Sequence, residues 1–196
     1  MLVILNPFAQ LLYLNELMNR FSPAEFIKIH FKASLLSLAV FTVFALWGDV
    51  LLKEVFQVRL PSVQIFGGLI MIVLMYRYIT VGAGSNLLFR GDISELASKI
   101  SLPFMVGPGT IWISILIGRK YSAPVSLSVL SGVLFVNILC VGLYHQIQFR
   151  LEKKKELSLG KYLSILMRVN ALFLGAIGVE MIFRGVESMY GIISRE

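Results

Sequence analysis

Residues 101–118 read S-L-P-F-M-V-G-P-G-T-I-W-I-S-I-L-I-G, and residues 1–14 read M-L-V-I-L-N-P-F-A-Q-L-L-Y-L. Both stretches are apolar enough to lie in lipid, yet each is broken by proline: Gly107-Pro108-Gly109 in one, Asn6-Pro7 in the other. Proline lacks an N–H and its ring clashes with the preceding turn, so a span holding one mid-course is expected to split into two half-helices. Pro also suits the first position of a new helix, with Asn6 a good N-cap and Gly107 an acceptable one. Each break then sets a half-helix start near the membrane midplane, with unpaired N–H groups and the positive end of the dipole exposed. For either proline alone, a simple kink is the plainer reading. Two breaks at matching places favour a site.

Composition sets the class. Of 196 residues, 57% are hydrophobic and only 15% charged, too little polar material to coat a soluble globule. The mean hydropathy is +0.82. The apolar runs are roughly 18 to 24 residues long, the length a helix needs to cross hydrocarbon, and they lack the alternating period of barrel strands. The expected fold is therefore an all-α integral membrane protein. Six spans are expected, at about 2–18, 33–52, 62–82, 100–118, 123–145 and 159–190, joined by short loops into one transmembrane domain over 1–196. The N-terminal run has no basic leader and no small-residue cleavage site, so it reads as a retained span.

Lys and Arg set the orientation. Arg20, Lys28, Lys32, Arg90, Lys99, Arg150, Lys153, Lys154, Lys155 and Lys161 follow the odd-numbered spans; only Lys53, Arg59, Arg119, Lys120 and Arg195 lie on the other side. The positive-inside rule then puts the odd loops in the cytoplasm and both termini outside. The net charge of +7 belongs to this headgroup-facing rim and not to nucleic-acid binding.

The two halves align. An offset of 101 lays Pro7 on Pro108 and Pro23 on Pro124; an offset of 107 lays F66-G67-G68-L69-I70-M71 on F173-L174-G175-A176-I177-G178, with Arg77 on Arg184. Each unit has three spans, so the second copy must run upside down. The expectation is two inverted three-helix repeats, about 1–85 and 95–196, with spans one and four broken. In such proteins, breaks of this kind point to a substrate site at the repeat interface.

These residues resemble a known family. N-P-F-A near the start, F-G-G-L-I-M-I in span three, L-P-F-M-V-G-P-G-T-I in span four and R-V-N-A-L-F-L-G-A-I-G-V-E-M-I-F-R-G-V in span six are similar to the MarC family of six-span inner-membrane proteins, which includes small neutral amino acid transporters. The resemblance covers essentially the whole chain. It implies that Asn6, Pro7 and Phe8, with Gly107, Pro108, Gly109 and Thr110, line the path of a small neutral amino acid. One departure stands out: family members usually have more residues before the N-P, whereas only Met1 to Leu5 precede it here, so either the start is misplaced or the outer half of span one is barely one turn.

Other polar residues carry weaker signals. Glu180 and Arg184 lie four apart mid-way through span six and are expected to pair. Both are coupling candidates, because an ionisable group in hydrocarbon is costly unless paired or facing a cavity; a structural ion pair is the equal alternative. Asp49 and Arg77 read as interfacial anchors, Asn137 and Thr42 as bonds across helices. Gly67, Gly68, Gly175, Gly178, Ser128 and Gly132 read as small packing surfaces. His30 and His145 look isolated, which argues against metal binding, and no cofactor is expected. No H-E-x-x-H, G-x-S-x-G or Walker A motif occurs, so neither an enzyme nor an ATP-driven pump is expected. The expected activity is secondary transport of glycine- or alanine-like substrates by alternating access; the alternative is a passive channel or accessory membrane subunit. Whether the coupling ion is a proton or sodium stays open at this level, as does assembly into a homo-oligomer.

Overall fold

The structure is a computed structural model; it describes residues 1–7, 10, 11, 14, 18, 21–80, 105–150 and 153–193. All regular elements among these are helices: α1 (Leu2–Leu5), α2 (Pro23–Val50), α3 (Leu60–Thr80), α4 (Pro108–Lys120), α5 (Ala123–Arg150) and α6 (Lys153–Ile193). A π-helical turn, Leu51–Val55, continues α2. Four stretches, Pro23–Val55, Leu60–Arg77, Ala123–Arg150 and Arg168–Gly191, are long and apolar enough to cross a membrane. The 13 residues of α4 rise only about 20 Å and do not cross alone.

Helix ends explain where the expected boundaries moved. The second span starts ten residues early because Ser22-Pro23-Ala24-Glu25 forms a capping box. Ser22 Oγ accepts from the Glu25 N–H at 3.4 Å, and the Ser22 N–H donates to Glu25 Oε2 at 3.1 Å, with Pro23 in the first helical position. That S-x-x-E signal is a local one, written in four consecutive residues. The last helix likewise runs 41 residues, longer than the apolar run it contains.

Small residues set how close the helices come. A Cβ at Gly68 would lie 2.5 Å from the Gly178 carbonyl oxygen, and one at Gly178 would lie 3.0 Å from that of Gly68, so α3 and α6 are in backbone contact. A Cβ at Gly118 of α4 would run into the Ala45 carbonyl of α2, and one at Gly48 would reach Ile115 at 2.6 Å. Gly142 of α5 receives Ile27 of α2. The packing expected of Gly67, Gly68 and Gly178 is met. Gly132 and Ser128 are a correction: a Cβ at Gly132 meets nothing within 4 Å, and Ser128 is exposed and bonds to Pro124 of its own turn. They face outward on α5, where none of the described helices approaches.

The outer surface is apolar. Phe31, Trp47, Phe66, Phe135, Phe149, Phe173 and Phe183 are each more than half exposed. A coat of that kind is stable only against lipid or another apolar surface.

Candidate functional site

At the first break, α1 ends after a single turn because Asn6 turns left-handed, φ 49° and ψ 71°, a conformation Asn tolerates better than most residues. The Asn6 N–H closes α1 on the Leu2 carbonyl at 3.1 Å, while its own carbonyl accepts from the Gln10 N–H at 3.2 Å, starting the next helical stretch. Asn6 Oδ1 accepts from Asn170 Nδ2 of α6 at 2.6 Å. The Leu5 carbonyl, which the break would leave unpaired, accepts from Gln10 Nε2 at 2.8 Å. Phe8 lies outside the described residues, as do residues 9, 12, 13 and 15–17 of span one and residues 100–104 of span four.

At the second break, Gly107 is extended (φ −118°, ψ 172°) and Pro108 takes the first position of α4. The Gly107 N–H donates to Thr110 Oγ1 at 2.8 Å. The Thr110 hydroxyl proton in turn reaches the Met105 carbonyl at 3.0 Å or that of Gly107 at 2.9 Å. Thr110 is 3% exposed, so this bond is made away from water.

The two breaks are neighbours. A Cβ at Gly109 would lie 3.2 Å from Ile4 Cγ2 of α1 and 3.3 Å from Met71 Cε of α3. Leu5 and Val106, one before each break, share an apolar cluster with Phe41, Leu130 and Leu134. Gly67 of α3 receives Pro108: a Cβ added there would lie 2.9 Å from Pro108 Cβ and 3.2 Å from Met181 Cε.

Above that layer opens a vestibule of about 1060 Å³. Trp112, Leu116 and Arg119 of α4 line one wall, one, two and three turns on from Pro108; Pro61 and Gln64 of α3 line another, and Glu180, Arg184 and Glu187 of α6 a third. The buried Gln64 lies one turn from Gly67, so the closed end of the cavity sits just over Pro108, Gly67 and Met181. The mouth carries Asp49, Lys53 and Arg59. Arg119 Nε donates to both carboxylate oxygens of Asp49, at 3.0 and 2.9 Å, which ties α4 to α2 where the sequence suggested only an anchor. Such a two-point ion pair fixes geometry as well as charge.

Glu180 and Arg184 do pair, Arg184 Nε donating to Glu180 Oε1 at 2.6 Å. Their side chains are 57% and 62% exposed, in the wall of the vestibule.

The described polar core also holds a residue that the sequence did not single out. Gln10, 1% exposed, accepts from Asn137 Nδ2 of α5 at 3.0 Å, which bears out Asn137 as a bond across helices. His30 and His145, which looked isolated, are both buried and both pack on Phe26, with ring centroids 5.9 and 4.7 Å away. The sequence hides this because the two histidines meet only when α2 and α5 lie side by side.

Four helices long and apolar enough to cross a membrane, under an apolar outer surface, mark a multi-pass integral membrane protein. A family profile described as MarC family integral membrane protein matches residues 1–190, and the chain belongs to the MarC family. It is 21% identical over 188 residues to a UPF0056 membrane protein of Pyrococcus horikoshii, covering 94% of this chain and 89% of that one. It is 24% identical to a UPF0056 membrane protein of Aquifex aeolicus, over 96% and 90% of the two chains. Identity to the UPF0056 membrane protein YhcE of Escherichia coli is 25%, over 73% and 68%. No solved structure matches the chain.

Proposed function

We propose that the protein is a secondary transporter of small neutral amino acids, working by alternating access around the two breaks. The observation that carries this reading is the vestibule: a wide cavity with charged side chains in a largely apolar lining, open at one side, that stops one turn above Pro108, where the two interrupted spans touch. An amino acid entering it meets Arg119 and Arg184 for its carboxylate and Glu180 and Glu187 for its ammonium. Below lies the start of α4, where the positive end of the helix dipole favours a carboxylate. Gly109 is closely covered by Ile4 and Met71, so a substrate reaching the start of α4 must displace them, and a small side chain displaces them least.

An inverted-repeat plan is supported by the packing of α3 on α6. Under the offset of 107, the contact of Gly68 with Ile182 maps onto that of Gly175 with Met75, and the contact of Met71 with Gly178 maps onto itself. A pseudo-two-fold axis through Met71 and Gly178 has that consequence, and rocking of one repeat against the other about it would exchange the open side. On the charge-derived orientation the vestibule faces outward from the cytoplasmic membrane, with both termini on the same outer side.

The test is counterflow in liposomes holding the purified protein. Labelled glycine or alanine is expected to enter faster when unlabelled substrate is trapped inside. Absence of uptake would reject the reading; uptake without counterflow would favour a passive channel. Thermal stabilisation by aromatic amino acids but not by glycine or alanine would reject the substrate class.

A further inference from the structure

Three hydrogen bonds run in series from the first break to a buried histidine. Gln10 Nε2 donates to the Leu5 carbonyl at 2.8 Å, Asn137 Nδ2 donates to Gln10 Oε1 at 3.0 Å, and the same Asn137 nitrogen lies 3.4 Å from His30 Nε2. An amide nitrogen can only donate, so His30 Nε2 accepts and His30 is neutral in this arrangement. Gln10, Asn137 and His30 are all at most 1% exposed. Asn137 Oδ1, His30 Nδ1 and Ser34 Oγ have no hydrogen-bond partner among the described residues, although they are buried. Unpaired groups of this kind are uncommon and call for a reason.

We propose that His30 is the site where the coupling proton binds, and that its arrival is passed through Asn137 and Gln10 to the first break. This rests on the transporter reading above and replaces Glu180, which lies exposed in the vestibule, as the proton carrier. The step is addition of one proton from the aqueous phase to the Nε2 lone pair, giving an imidazolium; no covalent bond breaks, and the proton leaves to the opposite side later in the cycle.

A protonated Nε2 donates and no longer accepts, so Asn137 turns its amide to offer the Oδ1 that now lacks a partner. That places an acceptor opposite Gln10 Oε1, and Gln10 must turn in its turn to donate. Its Oε1 then faces the Leu5 carbonyl, oxygen against oxygen. The bond that holds the end of α1 is lost, and the first break loosens. One proton thereby reverses the polarity of a chain of amides, and the unpaired Asn137 oxygen is the acceptor held ready for it.

The surroundings isolate this site. On α2, Phe26 stacks on His30, while Lys28 and Lys32 are exposed. On α5, Tyr144 packs against the cluster that holds Phe26, and His145 lies across Phe26 with its Nε2 engaged with the Met18 carbonyl at 2.9 Å. Glu16 and Arg20 of span one lie outside the described residues. Among the described residues the hydrogen-bond neighbour of the His30 ring is the neutral amide of Asn137, and no acidic or basic side chain bonds to it.

The test reads the first break directly, by amide hydrogen exchange of the peptide covering residues 1–10 in the full-length protein in nanodiscs. The reporting amides are Ile4, Leu5 and Asn6, which are hydrogen-bonded within α1. Measurements run from about pH 8 to about pH 4 on wild type and His30→Gln side by side, so that the intrinsic pH dependence of exchange cancels. Wild type is expected to exchange about five- to tenfold faster than His30→Gln at the acid end, the effect of one lost hydrogen bond, and to match it at the alkaline end. In liposomes, His30→Gln is expected to keep counterflow and lose accumulation driven by a pH gradient. Coincident exchange curves, or pH-driven accumulation retained by His30→Gln, overturn the proposal. If His30→Gln does not fold, Gln10→Met cuts the same chain: its α1 should exchange fast at every pH, and a pH response like that of wild type would overturn the proposal. Should wild type transport nothing, the transporter reading fails, while the exchange curves still decide whether His30 governs the break.

Discussion

The two breaks solve one problem with different materials. Both leave a carbonyl that has lost its helical partner, and in both a side chain five positions further on supplies the bond: Gln10 to Leu5, and Thr110 to Met105. At the second break the other side-chain bonds are local too, since the Thr110 hydroxyl joins Gly107 and Met105 within five positions. At the first, Asn6 is held by Asn170 and Gln10 by Asn137, partners 164 and 127 positions away. A break built from neighbours keeps its shape whatever the other helices do. One held by distant helices changes when they move. The second break is therefore the fixed floor of the site, and the first is its adjustable part.

The sharpest way to break this comparison is to deform the fixed side. Gly109→Leu puts a branched side chain where even a single carbon would touch Ile4 and Met71, so α1 and α3 must part from α4. Loss of transport to background is expected from a protein that still inserts and elutes as a single species. Normal counterflow by this variant would reduce the second break to a kink with no part in binding.

Next in size is Asn170→Leu, which removes the 2.6 Å bond that ties the Asn6 side chain to α6. A loss of about 1–3 kcal/mol in stability is expected. Thr110→Val, nearly the same shape, removes the bond to Met105 and should cost about 1 kcal/mol, leaving substrate exchange close to normal because the extended backbone at Gly107 remains. Thermal melts in one detergent, with counterflow beside them, check both. If Thr110→Val harms exchange more than Asn170→Leu, the assignment of fixed and adjustable breaks is reversed.

The same contrast explains what could be read from the chain alone. Gly107-Pro108-Gly109-Thr110 is a complete local device, so its residues were legible from their order. Asn6-Pro7 announced a break as well, but Asn170, Gln10 and Asn137 carry no local signature linking them. Their roles exist only after α5 and α6 pack beside span one. The vestibule was invisible for the same reason, since Asp49, Arg119 and Arg184 sit on three helices. Membrane class and the long helices follow from hydrophobic length, which tertiary packing does not change. Hydrophobic length alone misplaces boundaries: the start of α2 is written locally in the capping box at Ser22, ahead of its apolar run.

The smallest effect is expected at Glu180, and it separates the vestibule from the relay. A buried Glu180 would carry the proton, and Glu180→Gln would then abolish accumulation. The side chain is instead more than half exposed and pairs with Arg184 one turn away on its own helix. Exposed pairs of this spacing contribute about 0.3–0.5 kcal/mol, and water screens what remains. Glu180→Gln should therefore melt within about 0.5 kcal/mol of wild type. It removes one of the two carboxylates that can meet a substrate ammonium on the way in, so apparent affinity should fall while the maximal rate holds. Accumulation driven by a pH gradient should persist. If it is lost while counterflow stays intact, the proton travels by the vestibule wall, and the chain from His30 to Leu5 serves only to hold the first break together.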